Sequence, residues 1–305
     1  MKRHLWGFAL SLAVLLQGLI TMGQQPAFDS NSIVAEGPIR PQLVARQFAF
    51  AEGASVDRRG NVFFTDQPNN RIWEYTVDGR LVLFMDSAGR SNGTYFDGDG
   101  RLVTCADEHE QLWSIGPDKS VRILLREVGG RHLNGPNDLW IDGAGGIYFT
   151  DPYYQRSYWT RTKPELDGEK VYYLKKGAEQ PVVVESTMKK PNGIVGTPDG
   201  KSLYVSDIGD GKTYRYTIAA NGSLTDRHLF CAQGSDGMTL DERGNVYLTG
   251  DGVSVYDAGG KKIAHIPVPE KWTGNLCFGG RDKKSLFITA SEGLYILRMR
   301  LRGVE

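Results

Sequence analysis

The stretch PNGIVGTPDG at residues 191–200 is one of six related copies along the chain. In this copy Asn192 stands eight residues before the turn residue Gly200, and an apolar run at residues 203–205 follows. Turn positions of successive copies are separated by 40, 45, 55, 44 and 39 residues. A period of about 40–50 residues is typical of propellers and other repeat arrays. The six turn positions are Gly60, Gly100, Gly145, Gly200, Gly244 and Lys283.

Each copy has room for four short strands. In the first copy they are predicted at Ala51–Val56, Val62–Asp66, Arg71–Thr76 and Leu81–Phe84, with turn-forming clusters between them. Turn clusters every 8–12 residues or so are typical of antiparallel hairpins. Four strands in each of six copies predict an all-β fold, a six-bladed β-propeller. A β-sandwich, the alternative, would not preserve an eight-residue offset in every copy.

The last copy has only three clear strands, of which the final one covers residues 293–299. An unassigned strand pattern, Gln42–Arg46, precedes the first copy. We therefore expect the N-terminal strand to complete the C-terminal blade, because this removes an open sheet edge that would invite aggregation.

The first 24 residues are typical of a secretory signal peptide. Lys2-Arg3-His4 is a short basic region, residues 5–20 are an apolar run, and residues 21–23 form an exit of mainly small residues. The alternative is a membrane anchor, but the apolar run is shorter than the ~20 residues that span a bilayer. We expect residues 1–24 to be removed, residues 25–305 to form a single propeller domain, and the product to be periplasmic or secreted.

Charge and cysteine content narrow the classes of partner and site. Removal of Lys2 and Arg3 with a leader leaves 34 basic against 36 acidic residues, a net charge of about −2. Nucleic acid and anionic membrane surfaces are therefore not expected partners. Of the three cysteines, Cys105 and Cys277 lie in strand patterns, which favours buried thiols over a disulfide framework or a nucleophile.

The longest interval between turn positions contains an aromatic and basic insertion, residues 151–163. Long loops on a rigid scaffold often carry recognition, so the insertion could form a wall or lid at the channel mouth. The alternative is an exposed loop that packs its own aromatic side chains.

The residue eight positions before each turn position is a carboxylate or a carboxamide. In a propeller the equivalent points of the innermost strands face the central channel, so these oxygens should converge. Two buried carboxylates would repel each other, and a bound cation would remove that cost. The alternative is that Asn-Gly and Asp-Gly are simply turn dipeptides. The six residues are Glu52, Asn92, Asn137, Asn192, Asp236 and Asn275.

An all-oxygen donor set with two formal negative charges suits one hard divalent cation. We expect Ca²⁺, with Mg²⁺, Mn²⁺ or Zn²⁺ as alternatives. Such a cation can polarise a carbonyl and lower the pKa of bound water, which favours metal-assisted hydrolysis.

Six segments of the chain together carry a resemblance to a known family. They are Phe50–Gly53, Leu133–Asp138, Ile147–Pro152, Pro191–Gly193, Asp236–Met238 and Asn275–Gly280. In this order they resemble the gluconolactonase family that includes regucalcin, the senescence marker protein. The similarity covers essentially the whole mature chain, and the joint occurrence of the motifs in order is specific. It implies a six-bladed propeller with one catalytic divalent metal and lactone hydrolysis as the best-known activity.

The resemblance also implies roles for individual residues. Glu52, Asn192 and Asp236 match the family's metal ligands, and Asn137 matches the residue that reaches the metal, its water or the substrate. Asp236 is then also the candidate catalytic base, although a carboxylate bound to a cation is a weak base.

Substrate-binding candidates complete the predicted site. The family often carries a basic residue near Arg131, and many relatives place a histidine near His109, where this chain departs from the common pattern by having Ala-Asp-Glu before it. The full set of predicted substrate-binding residues is Asn92, His109, Arg131, Asn137, Tyr153 and Asn275.

The predicted function is a metal-dependent hydrolase that opens a sugar-acid lactone, such as gluconolactone, by metal polarisation of the carbonyl and attack by water. One alternative is another metal-dependent activity at the same site, on aryl esters or phosphotriesters. A second alternative is a non-enzymatic propeller that binds a ligand and holds a structural cation.

Overall fold

The computed structural model describes residues 39–305, so the predicted signal peptide, residues 1–24, lies outside the described residues. The described chain forms six antiparallel sheets of four strands each. Its only helical segments are the short 3-10 turns Gln67–Asn69 and Asp107–His109. Within residues 39–305 no helix is long and apolar enough to cross a membrane.

Blades 1 to 3 follow one another along the chain, and each runs outwards in sequence order. Blade 1 comprises β2 (Ala51–Val56), β3 (Val62–Asp66), β4 (Arg71–Tyr75) and β5 (Leu81–Asp86). Blade 2 comprises β6 (Ser91–Phe96), β7 (Leu102–Ala106), β8 (Gln111–Ile115) and β9 (Val121–Leu125). Blade 3 comprises β10 (Leu139–Ile141), β11 (Ile147–Asp151), β12 (Lys170–Leu174) and β13 (Val182–Glu185).

Blades 4 to 6 continue the ring. Blade 4 comprises β14 (Pro191–Gly196), β15 (Ser202–Asp207), β16 (Lys212–Ile218) and β17 (Leu224–Cys231). Blade 5 comprises β18 (Met238–Leu240), β19 (Val246–Gly250), β20 (Gly252–Tyr256) and β21 (Lys262–Ile266). Blade 6 comprises β22 (Thr273–Gly279), β23 (Ser285–Ala290), β24 (Gly293–Arg298) and the N-terminal strand β1 (Gln42–Arg46).

The ring closes in two ways. The inner strands β2, β6, β10, β14, β18 and β22 contact one another in a cycle that returns from β22 to β2. In blade 6, β1 pairs with β24, with Gln42 opposite Ile296 and Arg46 opposite Gly293. The prediction of a six-bladed propeller closed by its N-terminal strand is confirmed.

The predicted turn positions all take the left-handed backbone conformation that favours glycine. Their φ values run from 54° at Lys283 to 93° at Gly60. In the first turn Asp57 Oδ1 accepts hydrogen bonds from Arg59 N and Asn61 N, both at 2.8 Å. Lys283 occupies the turn position that is glycine in the other five copies, so spacing rather than residue type identified it.

The blades pack on aromatic and aliphatic side chains. Phe63 of blade 1 lies 5.0 Å from Phe96 of blade 2 between ring centroids, and Tyr247 of blade 5 lies 5.3 Å from Phe278 of blade 6. Edge-to-face pairs of this kind add about 0.5–1.5 kcal/mol beyond area burial. The three cysteines are buried free thiols, as the strand patterns indicated for two of them.

The inner strands are irregular where they pass the predicted site. Pairing with the second strand shifts register between Glu52 and Ser55 in blade 1 and between Pro191 and Ile194 in blade 4. Blades 2 and 6 show the same irregularity. A β-bulge leaves one residue out of the ladder and re-aims side chains, and such bulges are common next to active sites.

At the same level each second strand carries a buried side chain, and we call this set the hydroxyl column. Each is 0% exposed. Thr249 is an example, because its Oγ1 accepts from Gly237 N at 2.8 Å and donates to Gly274 O of blade 6 at 2.9 Å. The column therefore supplies hydrogen bonds that the bulged backbone lacks. Its members are Thr65, Thr150, Ser206, Thr249 and Thr289, with Cys105 at this position in blade 2.

We predict that Thr249→Val lowers the free energy of unfolding by about 1–3 kcal/mol, because a buried N–H and a buried carbonyl lose their partner. Urea unfolding measures the change. Thr249→Ser, which keeps the hydroxyl, should lose less, and the exposed Thr225→Val is the control. Equal stabilities of Thr249→Val and wild type would contradict the role of the hydroxyl column.

Candidate metal centre and active site

The six predicted channel residues, which we call the ring residues, lie on the inner strands or, for Asn137 and Asp236, two residues before them. Five of them are 2–6% exposed, and Asp236 is partly buried. Backbone hydrogen bonds join neighbouring blades at this level. Gly93 N, next to Asn92, donates to Asn137 O of the next blade at 2.7 Å. The eight-residue offset therefore identified side chains that the fold does gather. The ring residues are Glu52, Asn92, Asn137, Asn192, Asp236 and Asn275.

Two glycines make room for the charged part of the ring. A Cβ on Gly274 would lie 2.7 Å from Glu52 Oε1, and a Cβ on Gly193 would lie 2.7 Å from Asp236 O. Contacts this short do not occur for real Cβ atoms, so any side chain at either position would displace a ring residue.

Glu52 and Asp236 form a hydrogen-bonded carboxyl pair across the blade 6 inner strand. Burial and the charge of Asp236 raise the pKa of Glu52 well above its ordinary value. Burial also raises the pKa of Asp236, while hydrogen bonds from Trp272, Glu52 and Asn192 lower it. Without a cation the two carboxyl groups therefore oppose each other's ionisation.

Asn192 places an unused acceptor next to this pair. Its side chain is 2% exposed, and Nδ2 donates to Tyr154 OH at 3.1 Å. Its Oδ1 is buried and has no hydrogen-bond partner among the described residues. A buried carbonyl oxygen without a partner is costly, and it is expected where a ligand or ion completes the site.

The other three ring residues are neutral amides. Asn275 Oδ1 accepts from Leu276 N at 2.7 Å, which leaves its NH₂ group to donate. The main chain at Asn137 is fixed by a bond from its N–H to Thr150 O at 2.9 Å. The side chains of Asn92 and Asn137 are each 6% exposed.

Three aspartates at the ends of second strands brace the segments that lead into Glu52, Asn137 and Asn192. Asp66 Oδ1 accepts from Ala49 N at 3.0 Å. Asp151 accepts from the N–H groups of residues 134 and 135, both at 2.9 Å, and Asp207 from those of residues 189 and 190, both at 2.9 Å. The remaining blades have Ala106, Gly250 and Ala290 at this position.

Asp138, next to Asn137 in the channel, was not among the predicted site residues. Its carboxylate accepts from Leu139 N at 3.0 Å and from Ile194 N of blade 4 at 3.4 Å. Burial raises its pKa to about 8, and the charge of Asp236 contributes. Its position directly after a ring residue was the only sequence signal for it.

Trp272 was also missed. Its indole Nε1 donates to Asp236 Oδ2 at 2.6 Å, and the side chain is 36% exposed. Asp236 therefore bonds the indole in addition to Glu52 and Asn192. The only hint in the sequence is its position three residues before Asn275.

The predicted insertion crosses the face of the propeller as a segment that we call the strap, residues 152–161. Asp107 of blade 2 holds it, because Asp107 Oδ2 accepts from Arg156 Nε at 2.8 Å and from Tyr158 OH. Trp159 Nε1 donates to Asp107 O at 3.0 Å, and Arg161 pairs with Glu110. The strap packs its own aromatic rings, as expected for an exposed loop. It also contacts Asn192 through Tyr154, as expected for a wall at the channel mouth.

Three predicted substrate-binding residues have described contacts outside the ring. His109 is half exposed and stacks on Trp113 of its own blade, with 5.2 Å between ring centroids. Arg131 donates to Glu165 O at 3.2 Å. The hydroxyl of Tyr153 donates to Gln155 within the strap.

The donor set fits a single hard cation. Glu52 and Asp236 supply two carboxyl groups, and Asn192 supplies a neutral oxygen without a hydrogen-bond partner. The absence of a Cβ at Gly274 and Gly193 leaves space for these groups. Among the described residues no cluster of three or more His, Cys, Asp or Glu could hold a metal. A site here would consequently depend on amide oxygens as well as carboxylates, as oxygen sites for Ca²⁺ often do.

Comparison with known proteins places this arrangement in a family. A gluconolactonase of Zymomonas mobilis is 26% identical over 293 residues, which cover 86% of this chain and 82% of that protein. The structure of a gluconolactonase from Xanthomonas campestris superposes with a TM-score of 0.79 and 27% identity, over 85% of this chain and 89% of that one. A calcium-binding regucalcin from Agrobacterium tumefaciens shares the fold, with a TM-score of 0.72, 18% identity and coverage of 87% and 95%. With residues 50–292 matching its model, this chain belongs to the SMP-30/gluconolactonase/LRE-like family.

Proposed function

We propose that this protein is a lactone hydrolase that acts on a sugar-acid lactone and uses one divalent cation held by the ring. The observation that carries the proposal is the buried Glu52–Asp236 pair beside the unpartnered Oδ1 of Asn192. The names of the relatives support the reaction class, since they include a gluconolactonase and a lactonase.

Glu52, Asn192 and Asp236 would hold the cation, with Asn137 within the same ring. When bound, the cation would polarise the lactone carbonyl and favour ionisation of water. Ca²⁺ suits the donor set best, because it accepts carboxylate and amide oxygens in flexible geometry. The regucalcin that shares the fold is a calcium-binding protein, which agrees with this choice.

The chain's own residues have separate tasks in the reaction. Asp236, whose Oδ2 accepts from the Trp272 indole, would take a proton from the attacking water. Water oxygen adds to the carbonyl carbon, the ring C–O bond breaks, and a proton passes to the released oxygen, which gives a hydroxy acid. Asp236 receives hydrogen bonds from Trp272 and Asn192, which fix the carboxylate in place.

The neutral amides would bind the substrate. Asn92 and Asn137 each offer a donor and an acceptor, and Asn275 offers its NH₂ because Leu276 N occupies its oxygen. A cyclic polyol has several hydroxyls that need both donors and acceptors, so this set orients such a substrate over the charged pair.

We also infer that the protein is exported. The support is the basic region at residues 2–4 followed by the apolar run at residues 5–20. We predict that N-terminal sequencing of the mature protein finds a cut near residue 24. An uncut chain in the cytoplasmic fraction would contradict export.

For the activity, we predict that the wild type opens at least one aldonolactone in a panel assay that follows acid release. A chelator should abolish the turnover, and added Ca²⁺ should restore it. Asp236→Ala should lower kcat/KM roughly 100-fold, because it removes both a ligand and the proton acceptor. The exposed Asp78→Ala is the control. Absence of chelator-sensitive turnover on every lactone and aryl ester would overturn the proposal.

For the cation site, we predict that Asn192→Ala binds Ca²⁺ roughly 10–100-fold more weakly by calorimetric titration and loses activity in parallel. The melting temperature measured without Ca²⁺ should fall by no more than about a few degrees, because the change removes the bonds of Nδ2 to Tyr154 and Asp236 but none to Oδ1. Asn221→Ala, in an exposed turn, is the control. Unchanged Ca²⁺ affinity of Asn192→Ala would count directly against this ligand set.

A further inference from the structure

The strap delivers one side chain to the ring, and that residue has no role in the function proposed above. Tyr154 OH lies 3.1 Å from Asn192 Nδ2, from which it accepts a hydrogen bond. The two residues are 38 positions apart in sequence and belong to different parts of the propeller face. This contact joins the strap to a candidate ligand.

The ring of Tyr154 is itself fixed from two sides. Lys190 Nζ lies 4.6 Å from its centroid, and Arg156 Cζ lies 5.6 Å from it. Lys190 Nζ also donates to Tyr153 O at 3.2 Å, and Arg156 Nε donates to Asp107 at 2.8 Å. Cation–π contacts restrain the tyrosine ring, so its hydroxyl has a defined position.

The hydrogen bond between Asn192 and Tyr154 affects the orientation of the Asn192 side-chain amide. Both Tyr154 OH and the Asp236 carboxylate engage the side-chain amide of Asn192. A reversed amide would bring Oδ1 against the negative charge of Asp236, which is unfavourable. In the observed orientation Nδ2 is used and Oδ1 is left without a partner.

We propose that Tyr154 is a positioning residue that holds the Asn192 amide so that Oδ1 faces the cation site. This inference rests on the proposed cation at the ring. Partners that orient a metal ligand typically change metal affinity about 10–100-fold when they are removed, although they do not touch the metal. The aromatic strap is then part of the metal site and not only a wall beside it.

The test is calorimetric titration of the full mature protein with Ca²⁺. Tyr154→Phe keeps the ring and its contacts with Lys190 and Arg156 but removes the hydroxyl. We expect about tenfold weaker binding, with the melting temperature of the Ca²⁺-free protein within about two degrees of the wild type. In the Asn192→Ala background the same change should have no further effect, because Tyr154 acts through Asn192.

Tyr158→Phe is the matched control, because it removes a hydroxyl of the same strap that bonds to Asp107 instead of Asn192. It should leave Ca²⁺ affinity within about twofold of the wild type. Equal losses in Tyr158→Phe and Tyr154→Phe would overturn the inference, since strap packing would then be responsible. Wild-type affinity in Tyr154→Phe would also overturn it, whereas no Ca²⁺ binding by the wild type would refute the proposed cation site itself.

Discussion

The close approach of six inner strands around one axis is the constraint on which the rest of the structure depends. Space at Gly274 and Gly193 lets neighbouring blades bring Glu52 and Asp236 into the ring. The β-bulges at the same level take residues out of the ladder, and the hydroxyl column bonds backbone groups there, as Thr249 does with Gly274 O. Closure of the propeller and assembly of the site therefore depend on the same backbone geometry.

The composition of the ring follows from electrostatics in a buried channel. Six carboxylates would repel one another at a prohibitive cost, whereas amides offer oxygen acceptors without charge. The ring has four amides and only Glu52 and Asp236 as acids, and burial together with the charge of Asp236 raises the pKa of Glu52. One divalent cation matches two negative charges, so the donor set and the charge balance support the same conclusion.

The features that could be predicted from the sequence are those that repeat along the chain, namely the turns, the strands and the ring residues. The eight-residue offset predicted the six ring residues, because each stands at a fixed distance from a turn whose backbone has a positive φ. The spacing identified Lys283 as a turn position. The closing strand was predicted because the last copy lacked a fourth strand. The contacts of Tyr154 and Trp272 could not be found in this way, because they join loops 38 and 36 residues away from Asn192 and Asp236. His109 was predicted from the family resemblance. It lies in a 3-10 turn, and its ring stacks on Trp113 of the same blade.

Although the fold is a sixfold repeat, the site is asymmetric. Negative charge in the ring lies on blades 1 and 5, which flank blade 6, while blades 2 and 3 present the neutral amides Asn92 and Asn137. The aspartate braces are likewise confined to blades 1, 3 and 4, where they steady the segments before Glu52, Asn137 and Asn192. The strap extends this asymmetry, because it is anchored on Asp107 of blade 2 and reaches Asn192 of blade 4. A repeat fold can thus carry an asymmetric site, because only side chains and one loop need to differ among copies of the same backbone.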